Sequence, residues 1–552
     1  MKFIYSNSRI LSLLQSCNLT PILKQIHAHV ITTGQIQDNF LATKLVESFA
    51  VAARNVNYAH RIFYQIGSPD SYSWTTMIRG YCEAKTPEKA IHFYARMRSK
   101  GVEENRFTFL FVLKACAMKM RIVEGKMVHG KVLKLGFDCD AFINNALINL
   151  YSKCQDISSA RKLFDEMPLN NVVTWNTLIT ACFNCGDLEN ARKLFDEMPE
   201  RNVDSWNAVV AGYCKLGQVH VARTLFDEME ERDLVSWASM ISGYVRCGVA
   251  PKALKLFKEM LLAGISPDNM TITTALSACA QIGALDMGKW IHANINQHKI
   301  PIDVHLGTAL VDMYAKCGDI SIAMHLFFDM PSRNICTWNA VLSGLSVHGH
   351  GFSALELFKE MESLGLAPND VTFVAVLSAC SHVGAIDEGR RQFDRMEREF
   401  SIVPKIEHYG CMVDILSRGG LIDEAKELIK SMPMEPNIVI LGSFLSACKI
   451  HGFLEIDSDV VSDLRNLVSE DGGAYVLLSN IFAARSDWGS VGTVRKLIRE
   501  IFPDKKTPGY SSIELNSVVH EFLVEDRSHP KWREINDILT GLKSVSEIED
   551  YA

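Results

Sequence analysis

Apolar residues recur along most of this chain at helical spacing, in short stripes that come two to a block. In the block from Val172 to Asn202, Trp175, Leu178 and Ile179 form one stripe, and Leu188, Ala191, Leu194, Phe195 and Met198 form the second. Gly186 between them predicts a turn, and Pro199 or its neighbours predict the end of the second helix. Each block therefore reads as a helical hairpin. Neither helix can hide its stripe alone, so successive hairpins must stack on one another.

The blocks are periodic. The peptide Ala160-Arg161-Lys162-Leu163-Phe164-Asp165-Glu166-Met167-Pro168 returns as Ala191 to Pro199 and, more weakly, as Ala222 to Met229, each time 31 residues on. Trp175, Trp206 and Trp237 keep the same step. Registering the chain on these landmarks gives 31-residue units from Phe40, Ala141, Val172, Val203 and Val304, and 35-residue units from Ser71, Leu234 and Ile335. A third kind opens at Arg106, Asn269 and Asp370 and carries Val-Leu-Lys-Ala-Cys, Ala-Leu-Ser-Ala-Cys or Val-Leu-Ser-Ala-Cys. The distances Trp74 to Trp175 and Trp237 to Trp338 are both 101 residues, which the cycle of lengths requires. The expected fold class is all-α, a helical-hairpin repeat solenoid wound as a right-handed superhelix.

Composition adds bounds. The 552 residues carry a formal charge of -7, so the surface is not broadly basic, and any nucleic-acid contact must come from a local groove. No window approaches the roughly 18 to 20 apolar residues of a membrane span, and no membrane partner is expected. The 15 cysteines read as reduced thiols, because no secretory signal precedes them. Cys182 and Cys185 form a Cys-x-x-Cys that would be half of a zinc or redox site. Cys185, however, shares its repeat position with Cys154, Cys247 and Cys317, and Cys182 with Cys116, Cys279 and Cys380, so packing explains both and no metal or cofactor is expected. Ahead of Asp38, the first acidic residue, Lys2, Arg9 and the serines at 6, 8, 12 and 16 suit an organelle transit segment, with residues 1–6 as its remnant.

With its three unit lengths in order, and peptides such as Tyr314-Ala315-Lys316-Cys317-Gly318-Asp319, the chain resembles the plant pentatricopeptide repeat family, in the class where P, L and S repeats alternate. The resemblance covers residues 7–437. Tetratricopeptide repeats, the nearest confusable array, have one fixed period. Ile406-Glu407-His408-Tyr409 with Cys411-Met412-Val413-Asp414 resembles the family's final short repeat, and Tyr475 to Asn480 its second E motif, within an E1/E2 region at 438–509. Pro508-Gly509 through Phe522, with Ser528-His529-Pro530, resembles the E+ segment, truncated here over 510–552, with Tyr510-Ser511-Ser512 where the family usually has Cys-Ser-Trp.

The resemblance implies single-stranded organelle RNA as a partner, one repeat facing one base. The base is read by the fifth residue of the first helix and the last residue of the repeat, while the second residue, often Val, packs on the base plane. Short polar groups suit this role: Asn offers donor and acceptor, Thr a hydroxyl, and a carboxylate only accepts. Carried over, Thr75 with Asn105 implies adenine. Asn145 with Asn171, and Asn176 with Asn202, imply pyrimidines, and Asn207 with Asp233 implies uracil. Thr308 with Asn334 again implies adenine, and Asn339 with Asn369 a pyrimidine. Thr273 with Asp303 would suggest guanine. Ala238 with Asp268 has lost the polar fifth residue, Lys44, Leu110 and Val374 are not readable, and Gly410 with Asn437 has no reading. Read 5′ to 3′, the RNA is A, any base, three pyrimidines with U third, two weakly specified bases, A and a pyrimidine. The bland reading of each Asn, Thr or Asp is a helix N-cap or turn residue.

Members of this type serve cytidine-to-uridine editing, some with a zinc deaminase that needs His-x-Glu and Cys-x-x-Cys. None of the 17 histidines has Glu two residues on, and His520-Glu521-Phe522 has the wrong spacing. The chain is therefore expected not to be an enzyme but a site-recognition factor that recruits a separate deaminase-bearing protein through its E-type tail, in the mitochondrion, with the chloroplast as alternative. A factor that stabilises, cleaves or splices a transcript without editing would carry the same array. A protein-binding solenoid would not need Asn, Thr and Asp to recur in register.

Overall fold

The computed structural model describes residues 7–16, 19–52, 55–167, 170–452, 473–501, 510–515, 518–523 and 530–549. The expected transit remnant at 1–6 lies outside them, as do 453–472 and 502–509 of the expected E region. The chain divides into two compact units, Met1–Cys247 and Gly248–Ala552.

In the first unit, first helices open at Asn39, Ser71, Arg106, Ala141, Val172, Val203 and Leu234, and those from Asn39 to Val203 each pack on the second helix of their own repeat and on the first helix of the next. The second unit repeats this plan from the second helix Ala250–Leu262 through first helices opening at Asn269, Val304, Ile335, Asp370, Ile406 and Ile438. The helical-hairpin repeat fold is what the periodicity predicts. One start differs. The first array helix opens at Asn39, not Phe40, because the Asp38 carboxylate accepts the backbone N–H groups of Phe40 and Leu41 and so fixes the N-cap one residue earlier.

Capping sets the other boundaries too. The last residues Asp70, Asn105, Asn171, Asn202 and Asp233 in the first unit accept the N–H of the third residue of the following helix, whereas Lys405 in the second unit, an ammonium, makes no such side-chain cap. Two second helices, Leu188–Glu197 and Val219–Glu228, are closed by arginine. Arg201 donates to the carbonyls of Phe195 and Asp196 at 2.9 and 2.8 Å while its guanidinium lies 4.8 Å from the Phe195 ring centre. Arg232 does the same at Phe226 and Asp227.

The echoing phenylalanine and the echoing tryptophan meet across four repeat boundaries. Phe164 packs edge-on against Trp175 at 4.8 Å, Phe195 against Trp206 at 4.9 Å, Phe226 against Trp237 at 5.1 Å and, in the second unit, Phe327 against Trp338 at 4.8 Å. First helices approach closely where glycine allows it: a Cβ on Gly212 would stand 2.3 Å from the Phe183 ring.

After Ile438–Ile450 the core continues through Tyr475, Leu478, Ile481, Val491 and Val494 of the helices Gly473–Ala484 and Trp488–Ile501, packed with Phe444 and Leu445. The E+-like segment adds a two-stranded antiparallel hairpin, Tyr510–Leu515 with Val518–Leu523, registered Ser512 to Glu521, and then the helix Trp532–Glu549. The run Val518-Val519-His520-Glu521-Phe522 has the β-branched and aromatic content of a strand. Among the described residues no helix is long and apolar enough to cross a membrane.

A histidine on one second helix bonds a tyrosine on the next first helix at several boundaries: His129 Nδ1 to Tyr151 at 2.7 Å, His292 Nδ1 to Tyr314 at 2.9 Å, and His60 to Tyr81. Burial lowers the pKa of all three imidazoles below 6.5. A group that is harder to protonate folded than unfolded contributes full stability above its unfolded pKa and loses it as pH falls towards the folded one. The expected outcome is a midpoint of urea unfolding that is flat above pH 7 and drops between about pH 6.5 and 5. In His129→Gln the drop is expected to shrink, read by circular dichroism at pH 7.5 and 5.5.

Candidate nucleic-acid interface

Three positions build the predicted interface: the fifth residue of a first helix, the last residue of that repeat, and the third residue of the next first helix. The third position, which the code does not include, carries a buried hydroxyl at Ser73, Thr108, Thr174, Ser205 and Ser236 in the first unit and at Thr271, Thr337 and Thr372 in the second. Its backbone N–H takes the cap and its hydroxyl bonds the last residue, and at Ser73, Thr108, Ser236, Thr337 and Thr372 the same hydroxyl also reaches the fifth residue.

Asn207 and Asp233 meet directly. Asn207, 6% exposed, donates from Nδ2 to Asp233 Oδ1 at 3.0 Å. The Ser236 hydroxyl lies 2.6 Å from Asn207 Oδ1 and 2.8 Å from Asp233 Oδ1, and Ser236 N–H caps onto the same Oδ1 at 2.9 Å. Burial pushes the Asp233 carboxyl up, but the bonds from Ser236 and Asn207 outweigh it and hold its pKa below 3.8, so Asp233 is ionised. Asn339 and Asn369 repeat the arrangement in the second unit, with Nδ2 to Oδ1 at 3.0 Å and the Thr372 hydroxyl 2.7 Å from Asn339 Oδ1 and 2.9 Å from Asn369 Oδ1.

These bonds fall on Oδ1 of the last residue, the atom that Asp and Asn share. The atom in which they differ, a carboxylate oxygen against an amide N–H, is left over. The cap role and the reading role therefore do not compete; they use different atoms of one side chain. At Asn171, Asn202 and Asn334 the cap likewise falls on Oδ1, and at Asp268 on Oδ1 from Thr271.

The threonine repeats make the link through hydroxyls. Thr75 Oγ1 lies 2.7 Å from Thr108 Oγ1, which is bonded to Asn105, and Thr308 Oγ1 lies 2.7 Å from Thr337 Oγ1, which is bonded to Asn334. Asn105 also donates from Nδ2 to Ser71, so its amide is the more restrained. Asn145 and Asn176 present a different state: each has a buried Oδ1 without a hydrogen-bond partner. Unpaired buried acceptors are costly. Asp303 caps through Leu306, which has no hydroxyl to bridge back to Thr273. Ala238 has no polar group to offer.

The helix start at Asn39 corrects the reading of the first array repeat. Its fifth residue is Thr43, not Lys44. Thr43 Oγ1 lies 2.6 Å from Ser73 Oγ, which is 2.6 Å from Asp70 Oδ1, the same relay that Thr75 and Thr308 make. Lys44 instead bonds Glu47 and the Tyr72 hydroxyl. The signal in the sequence is the Asp38 cap followed five residues later by Thr43.

Second-position side chains stand beside these edges and face solvent: Phe40, Tyr72, Phe107, Phe142, Val173 and Val235 in the first unit, and Met270, Val371 and Val439 in the second, are all exposed. At the amino-terminal end they are aromatic and flanked by cations. The Arg106 guanidinium lies 5.2 Å from the Phe107 ring centre and 5.1 Å from that of Phe142. Such faces suit stacking. The Cys-x-x-Cys belongs to the packing: burial pushes the Cys182 thiol up to about 12, and Cys185 lies 3.8 Å from the Ser152 carbonyl of the preceding repeat.

An all-helical array whose repeat edges carry interlocked polar triads is a helical-repeat binding scaffold. The PPR repeat family matches residues 69–118, 170–205, 232–281 and 333–382. The PPR repeat matches 145–172, 204–234, 308–335, 371–399 and 407–435, and the E motif matches 451–514. The pentatricopeptide repeat-containing protein At5g66520 of Arabidopsis thaliana is 43% identical over 98% of this chain and 83% of its own length. At5g48910 of the same plant is 39% identical over 98% of this chain and 81% of its length. The crystal structure of the pentatricopeptide repeat protein PPR10 in complex with an 18-nt psaJ RNA element aligns over 91% of this chain and 75% of that chain, with 18% identity and a TM-score of 0.49. The chain belongs to the pentatricopeptide repeat family and carries its E motif.

Ser236→Ala should strip the hydroxyl from the Asn207–Asp233 triad and leave Asn207 Oδ1 buried without a donor. The expected cost is about 1–3 kcal/mol, with the cap at Asp233 retained through the Ser236 backbone. Urea unfolding of wild type and variant checks the magnitude; no change would mean that the hydroxyl does not hold the triad.

Proposed function

We propose that the chain binds single-stranded RNA along its fifth-residue and last-residue edge and acts as a site-recognition factor for cytidine-to-uridine editing in an organelle, the mitochondrion. The observation that supports base reading is the recurrence of one triad at Asn207–Asp233–Ser236 and Asn339–Asn369–Thr372, with the distinguishing atom of the last residue left over. Beside Asp233 that atom is an anionic oxygen. Uracil offers it the N3–H, whereas cytosine turns a lone pair towards it at the same place. An amide, as at Asn171, Asn202 or Asn369, can rotate to meet either pyrimidine. Thr43 with Asp70 pairs threonine with a carboxylate, as Thr273 does with Asp303, and adds a guanine to the 5′ end of the expected RNA.

The E motif supports the editing step over other RNA processing, since it is the part of the chain that resembles a recruiting segment. Deamination is supplied by a separate protein in this scheme. Sequencing organelle transcripts from a null mutant tests it: one or a few unconverted cytidines at normal transcript abundance are expected. Altered abundance or splicing with complete conversion would instead mean a processing factor without editing.

Base reading has its own test. In gel shifts with the full chain, replacing the uracil opposite Asn207 and Asp233 by cytosine is expected to weaken binding about 10-fold or more. Asp233→Asn should narrow that gap to about 2-fold or less while binding the uracil RNA nearly as well. Because Asp233 stays ionised, the uracil preference should be constant from pH 5.5 to 8. Indifference of the wild type to the swap would refute the register.

A further inference from the structure

A groove of 840 Å3 opens in the second unit between the second helices Ala250–Leu262 and Leu285–Gln297. Phe257, Leu261, Ile272, Ile291, Ile295 and Ile300 line it. Trp290 at 41% exposure and Leu262 at 88% stand at its edges.

The same place in the two sister cycles is closed. Around the repeat that opens at Arg106, Glu104 sits between facing helices and takes Arg98 at 3.6 Å and Lys131 at 3.9 Å, while the Phe109 and Phe137 rings meet at 5.6 Å. Around the repeat that opens at Asp370, Arg395 donates to Glu362 across the gap at 2.8 Å and covers Phe400, whose ring lies 5.5 Å from Phe373. Counted from the unit starts, Arg98 and Glu362 correspond to Leu261, and Lys131 and Arg395 to Asn294. Phe109 and Phe373 correspond to Ile272. In the middle cycle the charged strap is gone and the aromatic plug is reduced to isoleucines, so apolar surface that its sisters cover is open to solvent.

The rim of this groove is basic although the chain as a whole is acidic, with a formal charge of -7. Glu259 pairs with Lys255 at 4.0 Å and Lys289 with Asp319 at 3.0 Å. Lys258 lines the groove, Lys299 lies between the lining residues His298 and Ile300, and no carboxylate is among the described lining residues. The walls are 13-residue helices, about 20 Å long at 1.5 Å per residue, which matches an inserted helix of three to four turns.

We infer that this groove seats an α-helix of a partner protein, one with a stripe of large apolar side chains flanked by carboxylates. The stripe takes the place of the missing plug, and the carboxylates meet the lysine rim. The groove lies on second helices, whereas the base-reading positions lie on first helices, so the docking site does not depend on RNA being the ligand of the edge.

The test uses the full chain and a fluorescein-labelled helical peptide of about 18 residues with Leu and Trp at i, i+3, i+4 and i+7 and Glu on the flanks. Saturable binding by fluorescence anisotropy is expected below about 100 μM. The double variant Leu261→Glu/Asn294→Arg rebuilds the strap of Glu362 and Arg395 and is expected to weaken binding about 10-fold or more, as is a peptide with Lys in place of Glu. Trp290→Ala, at an exposed edge, provides a second variant with the same expected loss should the strap disturb folding. Equal binding by these variants, equal binding of the Lys peptide, or no saturation by about 1 mM overturns the proposal. So does a groove that loses RNA rather than peptide affinity when strapped, because it would then be a nucleic-acid surface.

Discussion

Everything in this molecule depends on contacts that cross from one repeat to the next. A two-helix hairpin of about thirty residues exposes too much apolar surface to stand alone. The Phe195–Trp206 contact and its repeats at 31-residue steps supply what each hairpin lacks. The phenylalanine belongs to one repeat's second helix and the tryptophan to the next repeat's first helix, so neither residue is buried until the neighbour arrives. The histidine–tyrosine bonds follow the same route, as do the cysteine contacts to preceding carbonyls. Stability is thus held at boundaries, which leaves the outer edges of the helices free to vary.

That freedom is what permits a recognition surface. Except at Lys405, the last residue of a repeat caps the next helix through a side-chain oxygen, which favours Asp, Asn, Ser or Thr. Within this restriction Asp and Asn are structurally equivalent, because the cap uses only Oδ1. The remaining atom can change from acceptor to donor without disturbing the fold. A serine or threonine three residues further on closes the triad and holds the fifth residue in a defined pose before any ligand binds, which lowers the entropy cost of recognition. The asparagines at 145 and 176, with an unsatisfied buried oxygen, are the positions where this preorganisation is incomplete.

How much of this was legible beforehand differs by level. The two apolar stripes of each block, the turn glycines and the recurring Phe and Trp gave the hairpins and almost every helix start. The candidate reading pairs were also visible, because they recur in register. Three features were not. Thr43 is hidden behind Lys44 because a 31-residue unit ending before Ser71 starts at Phe40, while the chain carries one more residue between the Asp38 cap and Ser71. The bridging hydroxyls look like ordinary helix N-terminal residues, and only their burial between two repeats shows what they touch. The open groove depends on residues 33 apart, Leu261 and Asn294, whose significance lies in what their counterparts Glu362 and Arg395 do across the gap.

The sequence by itself determined the repeat, its period and its caps, because these arise from interactions between residues close in the chain: i to i+3 capping, i to i+4 stripes and turn glycines. It determined the polar character of the edge for the same reason. Which atom of Asp233 is used and which is left over, which asparagine amide is tied and which is open, and which of three equivalent grooves stays uncovered were decided only when neighbouring repeats came together. Those outcomes rest on distances between side chains some thirty residues apart, and a hydrogen bond is made or lost within a few tenths of an ångström that sequence spacing does not resolve.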